Sequence, residues 1–241
     1  MKKEKLPIII LHGWGTTVSG KSYSQIQSIL EKDGYRVYAP DLPGFGNQKL
    51  LKPTMDLDDY VEFVETFMDN HKIDTAIFIA HSFGGRIIIK LAYKSPKRVE
   101  KIVLSGSPLI KRRLPAKKRL ARVVAHSGKT LLSKLPSPLF AFSRKLLYYS
   151  IGEWDYYKAG DLRETFKKII SEDLTHILPR ITAPVLIIWG QDDTFVPLKD
   201  GQDIAHIMPH AHLVVIPEAT HRLPYQKPQE FSKALEEFIH D

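Results

Sequence analysis

Apolar residues follow two rhythms along this chain. Short runs occur at Leu6–Leu11, Tyr35–Ala39 (interrupted by Arg36), Ala76–Ala80, Ile102–Leu104, Pro184–Trp189 and Leu213–Ile216. Between them lie longer stretches in which apolar residues recur every three or four positions. Ser22–Asp33 carries Ile26, Ile29 and Leu30; Asp56–Asn70 carries Leu57, Tyr60, Val61, Val64, Phe67 and Met68; Arg86–Tyr93, Asp200–Met208 and Pro228–Ile239 complete the set. Continuous, β-branched runs suit strands covered on both faces, and the three-to-four rhythm suits helices with one buried face. Strand and helix alternate, so the pattern predicts the α/β class, with a mostly parallel, doubly wound sheet and helices on both faces. From about Leu109 to Ile181 the alternation stops, and the stretch reads as helices broken at Pro115, Pro136 and Pro138. The expectation is one α/β core, residues 1–108 and 182–241, with a helical insertion at 109–181.

In sheets of this kind ligands bind beyond the carboxyl ends of the strands. The unusual loops all follow predicted strands: His12-Gly13-Trp14-Gly15, Ala80-His81-Ser82-Phe83-Gly84, Gly190-Gln191-Asp192-Asp193 and Glu218-Ala219-Thr220-His221. They therefore fall on one edge. In the second loop a strand reverses into a helix around Ser82, with Ala80 and Gly84 as small flanks. Crowding at such a reversal demands small residues two before and two after the serine, and it leaves the hydroxyl exposed. The helix that follows aims its N-terminal N–H groups at whatever the serine attacks. An ordinary strand-to-helix turn gives the same local pattern, so the other loops have to decide.

An attacking serine needs a base, an acid to orient that base, and donors for the oxyanion. Asp193 follows the strand 184–189 and His221 follows the strand 213–216, so the chain order is Ser, Asp, His. With His-Gly-Trp-Gly after the first strand and Asp-Leu-Pro-Gly-Phe-Gly after the second, five motifs stand in order. On these residues the chain resembles the α/β-hydrolase fold superfamily, in its serine-nucleophile, esterase-like branch with a helical cap. The resemblance covers nearly all of the chain outside the insertion. It implies a nucleophile at Ser82, a base at His221, an orienting acid at Asp193, and an oxyanion hole formed by the backbone N–H groups of Phe83 and Trp14. Asp192 competes with Asp193, and the family spacing from Gly190 to Pro197 favours Asp193. Asp41 is a rival acid whose Pro-rich surroundings suit a turn cap. His206, His210 and His212 read as surface residues, and His81 as packing at the elbow. His12, Trp154, Tyr157 and Arg222 are candidate pocket residues, with His12 also suited to support the oxyanion loop. The chain departs from the family at Ala80, which replaces a glycine. It also begins almost at its first parallel strand, so the family's leading antiparallel strands are absent or very short.

Composition narrows this picture only slightly. With 43% hydrophobic and 26% charged residues the chain is an ordinary globular one, and the absence of cysteine excludes disulfides and thiolate metal sites. No metal and no cofactor is expected. No signal-peptide core follows Met1-Lys2-Lys3-Glu4-Lys5 and no apolar run has the length of a membrane span, so a cytoplasmic protein without a transmembrane segment is expected. The net charge of +8 concentrates in the insertion, at Lys111, Arg112, Arg113, Lys117, Lys118, Arg119 and Arg122. Such a run suits a solvated lid face, or an acidic partner or anionic surface; specific nucleic-acid binding is not expected. The resulting expectation is a cap-bearing serine hydrolase, a carboxylesterase acting on small-molecule esters. The alternatives are lactone, carbon–carbon bond or acyl-thioester hydrolysis on the same triad, a weakly catalytic ligand receptor, or an anionic-surface-binding module.

Overall fold

The computed structural model describes residues 5–15, 18–111 and 160–240. The chain divides into two compact units, residues 1–111 with 168–241, and residues 112–167. The first unit is built on six strands: β1 (Ile8–Leu11), β2 (Val37–Tyr38), β3 (Ala76–His81), β4 (Val99–Ser105), β5 (Val185–Gly190) and β6 (Ala211–Ile216). Their order is β2-β1-β3-β4-β5-β6, and every pairing is parallel. The sheet is therefore the doubly wound α/β architecture that the apolar rhythm predicts.

Side chains alternate between the two faces of each strand, and the core follows that alternation. Ile8, Ile10, Ile77, Ile79, Val103, Leu186 and Ile188 pack with Ile26 and Leu30 of α1 (Ser24–Lys32) and with Phe231, Leu235 and Ile239 of the closing helix Pro228–His240. The opposite face receives α2 (Leu57–Asn70), α3 (Phe83–Lys94) and the helix Leu198–Ile207, where Gly201 lies against the Trp189 ring. Fully burying one such aliphatic side chain is worth about 1.5–3 kcal/mol, so the two faces together dominate the stability of this unit.

Local signals set the boundaries. A Schellman motif ends α1: the N–H of Gly34 donates to Glu31 O, and the N–H of Tyr35 donates to Leu30 O. Tyr35 thus spends its donor on the helix, and β2 begins only at Val37. A capping box opens α2, in which Asp56 and Asp59 each accept the other's backbone N–H. β4 starts earlier than its apolar run suggests. Its polar residue Lys101 lies at the sheet's lower end, where Nζ donates to Phe238 O.

α3 starts three residues earlier than expected. Gly84 and Gly85 read as turn residues in the sequence, yet they form the first turn of the helix. A Cβ on Gly84 would lie 2.2 Å from Leu11 O, and one on Gly85 would lie 2.0 Å from Ser107 Oγ. The glycines let the helix approach β1 and the β4 loop. Four residues on from Ser82, the buried Arg86 donates to the carbonyls of Pro108, Ile169 and Glu172. Burial pulls its pKa down to about 10, against the opposing charges of Glu172 and Asp173. Among the described residues, no helix is long and apolar enough to cross a membrane.

Candidate active site

Because all six strands run the same way, the loops after β1, β3, β4, β5 and β6 meet at one edge. Ser82 sits at the β3–α3 reversal with φ 50° and ψ −110°. Holding a non-glycine residue there costs roughly 1–3 kcal/mol and needs a surrounding that over-determines it. That surrounding is visible. The Ser82 N–H donates to Ser105 O at 2.8 Å, the Gly84 N–H donates to His12 O at 3.1 Å, and the Gly85 N–H returns to Ser82 O at 3.1 Å. Ser105 O also accepts from His81 Nδ1 and Ser107 Oγ. The sequence reading expects an exposed hydroxyl at the turn; Ser82 is instead only 7% exposed.

The Ser82 hydroxyl faces His221 Nε2 at 3.2 Å, and His221 Nδ1 faces Asp193 Oδ2 at 2.8 Å. Asp193 is buried, and its other oxygen, Oδ1, accepts the N–H groups of Phe195 and Val196 at 2.9 and 2.8 Å. With a carboxylate acceptor at Nδ1, the proton of the neutral ring sits on Nδ1 and the Nε2 lone pair points at Ser82. Asp192 is exposed and offers its backbone N–H to Ala219 O. The adjacent acids therefore face opposite ways. Gly106, with φ +54°, lets the β4 loop pass close behind His221: a Cβ there would lie 2.9 Å from its ring.

The loop after β1 is fixed by His12. Its Nδ1 donates to Gly13 O at 2.8 Å, and its Nε2 accepts the Leu42 N–H at 2.9 Å. Burial lowers the His12 pKa, so the ring stays neutral in this tautomer. The ring is fully buried with both nitrogens engaged. Gly13 O belongs to the same peptide as the Trp14 N–H, and in a trans peptide the two point in opposite directions. Holding that carbonyl therefore orients the donor. The Trp14 ring meets Phe45 at 4.9 Å and Phe83 at 5.4 Å, edge to face. Phe83 is the first residue of α3, where a helix leaves its N–H groups unpaired, and Tyr60 packs edge-on against its ring.

Two rings flank His221. The His81 ring lies 4.9 Å from that of His221, and burial holds its pKa well below the ordinary value. On the other side Phe195, 60% exposed, lies 4.7 Å from the His221 ring. No signal in the sequence tells a flanking aromatic from any other loop residue. Arg222 is exposed, and its backbone N–H donates to Thr220 Oγ1. Trp154, Tyr157 and the basic run from Arg112 lie outside the described residues. Among the described residues, no group of three or more histidine or acidic side chains could hold a metal ion.

A model of the alpha/beta hydrolase family matches residues 8–234 of this chain. The chain is similar to 2-hydroxy-6-oxo-6-phenylhexa-2,4-dienoate hydrolase of Burkholderia cepacia, at 28% identity, with 96% of this chain and 87% of that protein covered. It is 27% identical to the pimeloyl-(acyl-carrier protein) methyl ester esterase of Shewanella woodyi, with 96% and 93% covered. Among solved structures, an esterase from Exiguobacterium antarcticum matches with a TM-score of 0.74 at 19% identity, covering 99% of this chain and 93% of that one.

Proposed function

The chain belongs to the alpha/beta hydrolase family, and on that premise we propose that it is a serine hydrolase that cleaves carboxylic esters through an acyl-enzyme on Ser82. The observation that carries this reading is the hydrogen-bonded run from Ser82 Oγ through His221 to Asp193. As Oγ bonds to the ester carbon, its proton passes to Nε2, and the charge that forms on the ring faces Asp193 Oδ2. The carbonyl oxygen becomes an oxyanion held by the N–H groups of Phe83 and Trp14; losing one such donor costs about 2.7–4 kcal/mol of transition-state stabilisation. Collapse expels the alcohol, which takes the proton from Nε2. Water then attacks the acyl-enzyme by the same route, and the products are the acid and free Ser82.

A second reading, carbon–carbon bond hydrolysis, is favoured by the similarity to the Burkholderia cepacia dienoate hydrolase. It would use the same three side chains on a ketone instead of an ester. The similarity to the Shewanella woodyi esterase favours the ester, including one borne on an acyl-carrier protein. In that case the basic run would meet the carrier, and neutralising Lys117, Lys118 and Arg119 would raise KM for the carrier-bound substrate but not for a small neutral ester.

Hydrolysis of a chromogenic ester series, acetyl to long acyl chains, and of a 2-hydroxy-6-oxodienoate separates the two readings. Wild type is expected to turn over esters with a chain-length optimum, and Ser82→Ala to turn over none. Turnover confined to the dienoate would replace the first reading with the second.

A further inference from the structure

Two tyrosines behind the oxyanion loop take no part in the triad. Tyr23 ends the short turn Gly20–Tyr23 that leads into α1, and it is 1% exposed. Tyr225 lies in the short helix Leu223–Gln226, four residues after His221. The Tyr225 hydroxyl donates to the Tyr23 oxygen at 2.8 Å. Burial raises the Tyr23 pKa well above the ordinary value, and the nearby Gly13 backbone opposes that rise. On its other side the Tyr225 ring stands edge-on to His81, at 5.6 Å and 88°, and His81 lies against His221. Through Tyr225 the pair therefore reaches His81 beside the nucleophile and the segment that carries the base, while Tyr23 lies near Gly13 beside the oxyanion donor.

Packing alone does not explain the hydroxyls. A phenylalanine at either position fills the same volume, and a buried hydroxyl destabilises unless it is paired. These two are paired with each other, across a separation of 202 residues. Gln226, next to Tyr225, accepts from the Thr220 hydroxyl, so the same short helix also grips the residue before His221.

We propose that the Tyr225–Tyr23 hydroxyl pair is a positioning device for the acyl-transfer centre, locking the loop that carries Gly13 and Trp14 to the segment that carries His221. The inference rests on the serine-hydrolase reading above. His12 holds the Gly13 carbonyl, Tyr23 lies beside that loop, and the Trp14 N–H follows directly from Gly13. Neither phenol acts by titration. Burial raises both above the ordinary tyrosine value, so the pair works through geometry at constant charge.

The test uses the full chain as wild type, Tyr23→Phe, Tyr225→Phe and the double variant, on a small neutral ester. Active sites are titrated with a fluorophosphonate, and kcat per titrated site, KM, the pH profile and Tm are recorded. A displaced donor lowers the rate without weakening ground-state binding, so each single variant is expected to lose about ten-fold in kcat per site, with KM and the pH profile unchanged. The double variant is expected to fall no further than the weaker single. A lowered Tm with wild-type kcat per site would reduce the pair to packing, and independent, additive losses would show that the hydroxyls are uncoupled. Should Tyr23→Phe not fold, Tyr225→Phe alone decides between the first two outcomes. A wild type that is neither labelled nor active would overturn the serine-nucleophile reading and this inference with it; active, labelled wild type beside unimpaired variants overturns the inference alone.

Discussion

Two aspartates follow strands of this sheet and look alike in sequence, yet they are built into the molecule differently. Asp41, after β2, accepts the Gly20 N–H on Oδ1 and the Asn47 N–H on Oδ2. Asp193, after β5, also accepts two backbone N–H groups, but both go to Oδ1. Its Oδ2 is left for His221. The first carboxylate spreads its oxygens between two loops and staples them together. The second anchors one oxygen in its own turn and turns the other toward an imidazole. The role of an acid in such a site is thus set by how its hydrogen bonds are divided between its two oxygens, and burial alone says little about it.

The most severe break in this comparison is Asp193→Asn. It keeps the size of the side chain but offers the ring a different partner at Nδ1, so the wrong tautomer is favoured. Loss of kcat by roughly 10⁴-fold with the fold intact is expected, read by steady-state kinetics alongside circular dichroism. Asp41→Ala should do the reverse. It removes the acceptors of two backbone donors and is expected to lower unfolding free energy by about 1–3 kcal/mol in urea titrations, while kcat on a small ester stays within the same order of magnitude.

Acid sharpens the contrast. Burial, as the largest cause, depresses the pKa of both His12 and His81, so these rings are neutral when folded but take up protons when unfolded below the ordinary histidine value of 6.5. Stability should therefore hold above about pH 6.5 and decline as pH falls below it. Asp41 acts lower on the scale. Partial burial raises its pKa, the Asn47 and Gly20 hydrogen bonds outweigh that, and the net value lies below 3.8. Its contribution should be lost only as pH falls through and below 3.8. Unfolding free energy measured against pH should show both limbs in wild type, and Asp41→Ala should flatten only the lower one. The smallest effect belongs to Asp192→Asn. That side chain is exposed and faces away from the base, so a stability change within about 0.5 kcal/mol and near-wild-type kinetics are expected.

The sheet was legible because its central strands are apolar throughout. Ile8–Leu11, Ala76–Ala80 and Val185–Trp189 announce themselves by composition, and parallel pairing follows from their alternation with helices. Strand ends were not legible. Lys101 hides the start of β4, and the helix cap that consumes the Tyr35 donor shortens β2. The first turn of α3 was missed because glycine signals a turn in sequence, whereas here it signals close approach of a helix to Leu11 and Ser107. At the site, the family resemblance implies Asp193 through the spacing from Gly190 to Pro197, and it is Asp193 that faces His221. His81, which the sequence marks only as packing at the elbow, and Phe195 meet His221 only through the fold, and Tyr225 meets His81 in the same way.

The central claim, that Ser82 is the nucleophile, is tested most directly by locating a covalent adduct. Wild type treated with a fluorophosphonate, digested and mapped by mass spectrometry is expected to carry one modification, on the peptide holding Ser82, and His221→Ala is expected to slow its formation sharply. An adduct on a different serine, or labelling of Ser82 that proceeds at the wild-type rate without His221, would contradict the account.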